Sequence, residues 1–167
     1  GQAGTVRVGR AFGAGSHHAV GRAGAVALTL ALGFMALTAL LMALAPQWLV
    51  APFLDRSRPG ADEVAVLAMA FLSYAAIFQL ADGAQVVGSA ILRGLGDTRL
   101  PMIFAGLGYW VIGLPLSAAL GFLTPLAGRG IWIGLAIGLT VVAAMMLGRW
   151  FAREKLGLVT TARAATF

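Results

Sequence analysis

The sequence predicts an all-α protein, a polytopic membrane helix bundle with four transmembrane helices plus the end of a fifth. Of its 167 residues, 60% are hydrophobic and only 11% are charged, and the mean hydropathy is +0.90. Soluble domains carry about 25% charged residues. A soluble fold of this length could not bury so much apolar surface, whereas a lipid bilayer accommodates it.

Uncharged or nearly uncharged runs define the four predicted spans, at about 23–54, 64–92, 100–123 and 130–150. About 20 apolar residues, rising 1.5 Å each, cross a bilayer core of about 30 Å. Backbone groups in lipid must pair within their own segment, so these runs are expected to be helices.

The segments that flank the four spans are also assigned a predicted structure. Residues 1–12 are predicted to end a transmembrane helix, 13–22 to form a cytoplasmic loop, 23–152 to hold the four spans, and 153–167 to form a cytoplasmic tail. The chain opens on Gly1–Val6, like the inside of an apolar helix, and without an initiator methionine. We therefore expect it to begin partway through a longer protein whose N-terminal helices are missing here.

The basic residues predict the orientation. With the C-terminus in the cytoplasm, nine basic residues lie on that side, and they are Arg7, Arg10, Arg22, Arg93, Arg99, Arg149, Arg153, Lys155 and Arg163. The outer side then holds three, Arg56, Arg58 and Arg129. This bias satisfies the positive-inside rule. The net charge of +6 fits contact with anionic lipid headgroups better than nucleic-acid binding.

Asp82 is the main candidate for chemistry, because it lies about ten residues before Arg93 and so roughly 15 Å from that end of its helix. A carboxylate at this depth is costly unless it is paired or hydrated, and such residues usually serve a function. The alternative is a structural aspartate that pairs with a neighbouring helix. Gln79, Gln85 and Ser89 lie at i−3, i+3 and i+7 from Asp82, within one sector of the helix.

This polar stripe is expected to face a cavity, with Phe78 and Ala75 as an apolar wall, that suits lipophilic cations. Tyr109 and Trp110 lie well inside the third run, where we expect them to line a cavity or pack between helices. Pro115 in the same run predicts a kink.

Other features have structural interpretations. His17 and His18 are expected in a solvated loop, since no further histidine or cysteine completes a metal site. Gly130, Gly134 and Gly138 lie four apart, which predicts a helix-packing seam. In the turn 93–99, Gly94 is expected to end one helix, and Asp97 or Thr98 to cap the next, with Pro101 in its first turn.

Four sequence stretches carry a family resemblance. Phe78-Gln79-Leu80-Ala81-Asp82-Gly83-Ala84-Gln85-Val86-Val87-Gly88-Ser89, followed by Leu92-Arg93-Gly94-Leu95-Gly96-Asp97-Thr98-Arg99, resembles the tenth helix and following loop of the multidrug and toxic compound extrusion (MATE) family. Tyr109–Pro115 resembles its eleventh helix, and Val6–Gly15 the end of its eighth.

The resemblance implies a twelve-helix transporter in the cell inner (plasma) membrane that exchanges Na⁺ or H⁺ for organic cations. This chain would supply the end of helix eight and helices nine to twelve. In Na⁺-coupled bacterial members, the aspartate that matches Asp82 takes part in cation binding, often assisted by an aromatic hydroxyl four residues earlier. Phe78 stands there and lacks a hydroxyl, which leaves H⁺ coupling open. The acidic partner on helix seven would lie outside this chain.

Two further classes stay open at this point. A lipid-linked precursor flippase of the same superfamily would need a basic central cavity, and the spans hold Asp82 but no deep lysine or arginine. A membrane enzyme would need a nucleophile with its base, or metal ligands. The four runs contain no histidine or cysteine, so we expect no enzyme, metal or cofactor; a non-catalytic membrane subunit is the remaining alternative.

Overall fold

The computed structural model describes residues 1–55, 57 and 59–160. Arg56, Arg58 and Arg163, which contribute to the predicted charge bias, and the rest of the predicted tail beyond Thr160 lie outside this part of the chain. The described residues form helices joined by turns, without a β-strand. In chain order the elements are α1 (Gln2–Gly13), α2 (His17–Leu44), α3 (Pro46–Val50), a 3₁₀ turn (Ala51–Phe53), α4 (Ala61–Gly94), α5 (Arg99–Gly106), a π-helical segment (Leu107–Gly113), α6 (Leu114–Phe122) and α7 (Gly128–Phe151).

Four helical stretches are long and apolar enough to cross a membrane, as predicted. They are α2, α4, α7 and the continuous stretch Arg99–Phe122, which we call the third span and which comprises α5, the π-helical segment and α6. The all-α membrane bundle predicted from the sequence is therefore confirmed. Many apolar side chains on these helices are exposed, for example Phe34 at 63% and Trp110 at 73%.

The second helix has different ends from those expected. It begins at His17, because Ser16 takes the N-cap position and its hydroxyl accepts a hydrogen bond from the Ala19 amide at 3.3 Å. His17 and His18 thus lie in the first helical turn, exposed, and not in a loop. The helix ends at Leu44, where Pro46 starts α3, since proline cannot continue the backbone ladder.

The turn after α4 also differs from the prediction, because Gly96 and not Gly94 adopts the left-handed conformation, with φ of 80°. The Asp97 amide donates to the Leu92 carbonyl and the Gly96 amide to the Arg93 carbonyl, the two bonds of a Schellman motif. Gly94 is helical and lies directly against α1, where a Cβ would come within 2.9 Å of the Thr5 carbonyl oxygen.

Asp97 forms an ion pair instead of the expected helix cap. Its Oδ2 lies 2.5 Å from Nε of Arg149 near the end of α7, and both side chains are mostly buried. Thr98 occupies the N-cap position of α5 without a side-chain capping bond. Pro101 is buried in the first turn, as expected. The turn between α4 and α5 is thereby tied to α7.

Helix α4 lies at the centre of the bundle and packs against α1, α2 and α7. The core on these contacts includes Val8, Val20, Ile91, Val142 and Trp150. Trp150 fills a notch at Gly24 of α2, where a Cβ would come within 2.0 Å of the indole. Val159, in the segment expected to be a polar tail, is 5% exposed and joins this core. At least part of that segment therefore packs on the bundle.

The third span is attached through α7, along the seam predicted from the glycine spacing. A Cβ at Gly130 would lie 2.3 Å from the Leu120 carbonyl oxygen, and one at Gly138 would lie 2.6 Å from Cα of Gly113. The Ser117 hydroxyl donates to the Ile131 carbonyl across the seam at 3.1 Å. The prediction of a packing seam is confirmed.

The third span is wound more loosely just before Pro115. The π-helical segment Leu107–Gly113 precedes the α-helix that holds this proline near its start. Proline has no amide hydrogen to donate to the preceding turn, and a wider turn is one way in which a helix accommodates that loss. The irregularity that was expected at Pro115 is thus located in the residues before it.

We expect Gly134→Ala to destabilise the bundle, because its Cβ would lie 2.3 Å from the Ser117 backbone nitrogen, which cannot move alone. Overpacking of this kind costs about 1–3 kcal/mol. Gly148→Ala on the same helix is the control, since its Cβ would meet nothing within 4 Å. In thermal unfolding measured in detergent, only Gly134→Ala should have a lower midpoint temperature than the unmodified protein. Equal midpoints for the two variants would contradict the seam.

Candidate functional site

Asp82 is the acidic residue placed in the interior of a membrane-spanning helix. The sequence has six acidic residues, and the other five lie at helix ends or in turns: Asp55, Asp62, Glu63, Asp97 and Glu154. Asp82 lies 12 residues before the end of α4 at Gly94, or about 18 Å along the helix axis. It is half-buried and makes no hydrogen bond or ion pair with the residues that the structure describes.

On one side of Asp82, α4 is joined to α2. Gln79 Nε2 donates to the Met35 carbonyl and to the Thr38 hydroxyl, both at 3.0 Å. At Gly83 a Cβ would come within 2.7 Å of the Met35 side chain, so the two helices approach closely here. Gln79 therefore serves the α2–α4 contact, although the sequence analysis expected it to line a cavity.

On the other side, α4 is joined to α7 by aromatic side chains. The Phe78 ring meets Trp132 edge to face, with centroids 5.8 Å apart and an interplanar angle of 87°. Phe71, two turns earlier, lies 6.4 Å from the same indole. Such pairs prefer these tilted geometries. Phe78 thus holds the α4 segment of Asp82 against α7.

The two remaining members of the predicted stripe lie towards the Gly94 end of α4. Ser89 is 8% exposed, and its hydroxyl donates to the Val86 carbonyl of the same helix at 3.0 Å. Gln85 is half-buried and forms no hydrogen bond within the described ranges. Of the four polar side chains in the stripe, Gln79 and Ser89 form hydrogen bonds to helix backbone or side-chain groups. Asp82 and Gln85 form none with the described residues. Their placement on a cavity wall stays a prediction.

Tyr109 is the site residue that the sequence predicted on the third span, and no hydrogen bond joins it to Asp82 among the described residues. It is 39% exposed and lies in the π-helical segment. Both α4 and the third span pack extensively on α7 and make few direct contacts with each other. Asp82 and Tyr109 therefore lie on the two elements that flank α7.

Two apolar cavities adjoin this region without including Asp82. One, of about 450 Å³, lies between α3, α4 and α7 and is lined by Leu49, Phe53 and Trp132 among others. The other, of about 370 Å³, lies between α4 and α7 and includes Tyr74 and Thr140. Trp132 contributes to both, so it separates two apolar spaces that border the helix of Asp82.

Several positions with a structural role at the site were missed from the sequence. The Thr38 hydroxyl and the Met35 carbonyl accept hydrogen bonds from the Gln79 amide nitrogen. The Thr5 hydroxyl of α1 donates to the Ala90 carbonyl of α4 at 2.9 Å. A threonine inside an apolar run is a signal that could have suggested an inter-helix hydrogen bond. Trp132 had no such signal, because a lone tryptophan is compatible with packing or with lipid contact.

The arrangement offers one carboxylate, one amide and one phenol, with apolar walls. A carboxylate of this kind can hold a proton or a monovalent cation, or attract an organic cation. No cluster of three metal-ligating side chains occurs among the residues that the structure describes.

A bundle of bilayer-length helices with glycine seams and an acid in a helix interior defines a multi-pass membrane protein. The profile of the MatE family matches residues 1–119. The chain belongs to this family.

Curated relatives share about half of the residues. A probable multidrug resistance protein NorM of Mesorhizobium japonicum is 50% identical over 155 residues, covering 93% of this chain and 33% of the relative. One of Brucella suis is 49% identical over 165 residues, 99% of this chain and 35% of the relative. The multidrug resistance protein NorM of Burkholderia vietnamiensis is 47% identical over 150 residues, 90% of this chain and 32% of the relative.

A solved structure shows the same fold. It is an inward-facing multidrug resistance MATE family transporter of the MOP superfamily, with a TM-score of 0.75 and 19% identity, covering 98% of this chain and 36% of that one. The chain thus spans about a third of the length of the relatives it matches.

We expect Gln79→Leu to weaken the α2–α4 contact, because the variant loses two hydrogen bonds and leaves the Thr38 hydroxyl without its amide donor. The expected cost is about 1 kcal/mol, as for inter-helix hydrogen bonds in membranes. Gln85→Leu, two turns along the same helix, is the matched control and should change stability little. Unfolding in detergent measures both. A larger loss for Gln85→Leu would contradict the structural assignment of Gln79.

Proposed function

We propose that this chain is the C-terminal part of a secondary active transporter that exports organic cations or drugs in exchange for H⁺ or Na⁺. The observation that carries the proposal is Asp82, the single carboxylate in the interior of a span, half-buried and without a counter-charge among the described residues. The names of the relatives, multidrug resistance proteins, support the substrate class.

Asp82 would act as the coupling residue. A lone carboxylate in a membrane interior is stabilised by any cation that reaches it, whether a proton, Na⁺ or the charged group of a lipophilic drug. The two kinds of cation then compete for one negative charge. By thermodynamic linkage each must weaken the binding of the other to the same degree. Entry of the coupling ion would thereby favour release of the drug.

The neighbours of Asp82 bear on which ion is used. A Na⁺ site needs several oxygen ligands, and Phe78 offers none because its side chain has no oxygen; its ring packs on Trp132. Gln79 is held through its amide nitrogen, which donates to Met35 and Thr38, and its Oε1 takes no part in these bonds. Gln85 and the Tyr109 phenol are the remaining polar groups of the predicted site. The proposal therefore keeps both H⁺ and Na⁺ as coupling ions.

The proposed location is the cell inner membrane, with the C-terminus in the cytoplasm. The orientation rests on the positive-inside rule applied to the basic residues. The third span and α7 are joined by a turn at 123–127, and Arg129 in the first turn of α7 would then lie outside.

The other classes that the sequence left open are less well supported. The relatives are named as multidrug resistance proteins and not as lipid flippases, and the spans contain a deep acid without a deep base. The transporter proposal also means that the chain performs no enzymatic reaction.

In the full-length transporter, Asp82→Asn should reduce coupled drug efflux by about tenfold or more, since it keeps the shape but removes the charge. Asp82→Glu should retain part of the activity. Asp62→Asn, in the first turn of the same helix, makes the same chemical change and should export normally. Efflux of ethidium from cells, normalised to the amount of protein in the membrane, measures this. Export by Asp82→Asn at the wild-type rate, with unchanged pH and Na⁺ dependence, would refute the coupling role.

The orientation predicts that single cysteines at Ser57 and Thr160 label from opposite sides of the membrane. The chain contains no native cysteine, so background labelling from it is absent. A membrane-impermeant maleimide applied to intact cells should modify Ser57→Cys, while Thr160→Cys should react only after permeabilisation. Labelling of both from the same side would exclude the four-span arrangement.

A further inference from the structure

A groove with a volume of about 650 Å³ lies between α1 and α2. Three arginines line it, Arg7 and Arg10 from α1 and Arg22 from α2, together with small apolar residues that include Ala3, Val6 and Val26. None of these residues belongs to the surroundings of Asp82. The groove is therefore a separate feature of the fold.

The helical repeat explains why these residues line one groove. Those of α1 recur at spacings of three and four, which places them on one face of that helix, and those of α2 do the same. The two faces meet because α1 and α2 form a hairpin joined by a short turn at 14–16. The arginines lie at the turn end of the groove. Along the helix axes, Ala3 lies about 6 Å beyond Arg7, Val6 about 6 Å beyond Arg10, and Val26 about 6 Å beyond Arg22, whereas Val6 and Arg7 are adjacent.

The charge in the groove is uncompensated. Neither α1 nor α2 contains an acidic residue. The three guanidinium groups are exposed and make no hydrogen bond or ion pair within the part of the chain that the structure describes. By contrast, Arg153 in an adjacent groove bonds to the Trp150 carbonyl and to Glu154 and lies over the Trp150 ring. The α1–α2 groove is thus a basic surface that lacks an anion.

We propose that this groove binds an anionic phospholipid, with the headgroup phosphate between Arg7, Arg10 and Arg22 and an acyl chain along Val6 and Val26. Guanidinium groups bind phosphate through paired hydrogen bonds. Basic pockets between membrane helices are known to hold anionic headgroups. A free phosphate would use the arginines but not the apolar half, whereas a lipid uses both.

The test compares lipids on the full-length transporter in detergent. Native mass spectrometry would measure binding of phosphatidylglycerol, of phosphatidylcholine with the same acyl chains, and of inorganic phosphate as a competitor. The variant combines Arg7→Gln, Arg10→Gln and Arg22→Gln. The control combines Arg93→Gln, Arg99→Gln and Arg129→Gln, which removes the same charge from helix ends outside the groove.

The groove variant should bind phosphatidylglycerol about tenfold or more weakly, while the control stays near wild type. Phosphatidylcholine should bind weakly to all proteins, and inorganic phosphate should not displace phosphatidylglycerol. If the triple variant does not fold, Arg10→Gln and Arg22→Gln singly should each weaken binding, and Arg22→Lys, which keeps the charge but loses the paired hydrogen bonds, should weaken it less than Arg22→Gln.

Equal loss in the groove variant and the control would show a general charge effect and overturn the proposal. Unchanged lipid binding in the groove variant would do the same, and is the result expected if other parts of the transporter cover the groove. Displacement by inorganic phosphate at similar affinity would assign the arginines to a free anion instead of a lipid.

Discussion

Close approach of helix backbones is the constraint on which the rest of this structure depends. Lipid is as apolar as the side chains, so helices in a membrane gain little from burying leucine and associate where small residues allow tight contact. In this chain glycine lies at most of the helix contacts. Gly24 admits the Trp150 indole, Gly94 admits α1, and Gly134 and Gly138 admit the third span. Each of these positions leaves no room for a Cβ, which sets which helix faces can meet.

This constraint explains what the sequence could predict and what it could not. The four spans follow from the length of apolar runs alone, and the α7 seam from glycines four residues apart, because both are periodic signals within one segment. The helix ends were predicted less well, since they depend on partners elsewhere. The left-handed turn falls at Gly96, while Gly94 is taken up by close contact with α1. Asp97 is bound by Arg149, 52 residues later, and so does not cap α5.

The candidate site divides in the same way. Asp82 stood out from the sequence because a charge inside an apolar run has few structural explanations. Gln79 shares its helix face, but the face alone could not reveal that its amide reaches Met35 and Thr38 of another helix. Phe78 likewise packs on Trp132, which is 54 positions away in the numbering. Periodicity therefore identifies which residues share a direction, while the role of each depends on what lies opposite.

The helices that carry Asp82 and Tyr109 are held by different numbers of neighbouring helices. This difference bears on how a coupling residue could work. Asp82 lies on α4, which is held by α1, α2 and α7, with hydrogen bonds on one side and aromatic contacts on the other. Tyr109 lies in a π-helical segment of the third span, whose main support is the glycine seam of α7. The third span thus packs mainly on one neighbouring helix, whereas α4 packs on three. Small sliding of the third span along α7 would therefore disturb fewer contacts than any displacement of α4. We expect that changes in the distance between Asp82 and Tyr109 arise mainly from the third span, with Asp82 as the fixed member of the pair.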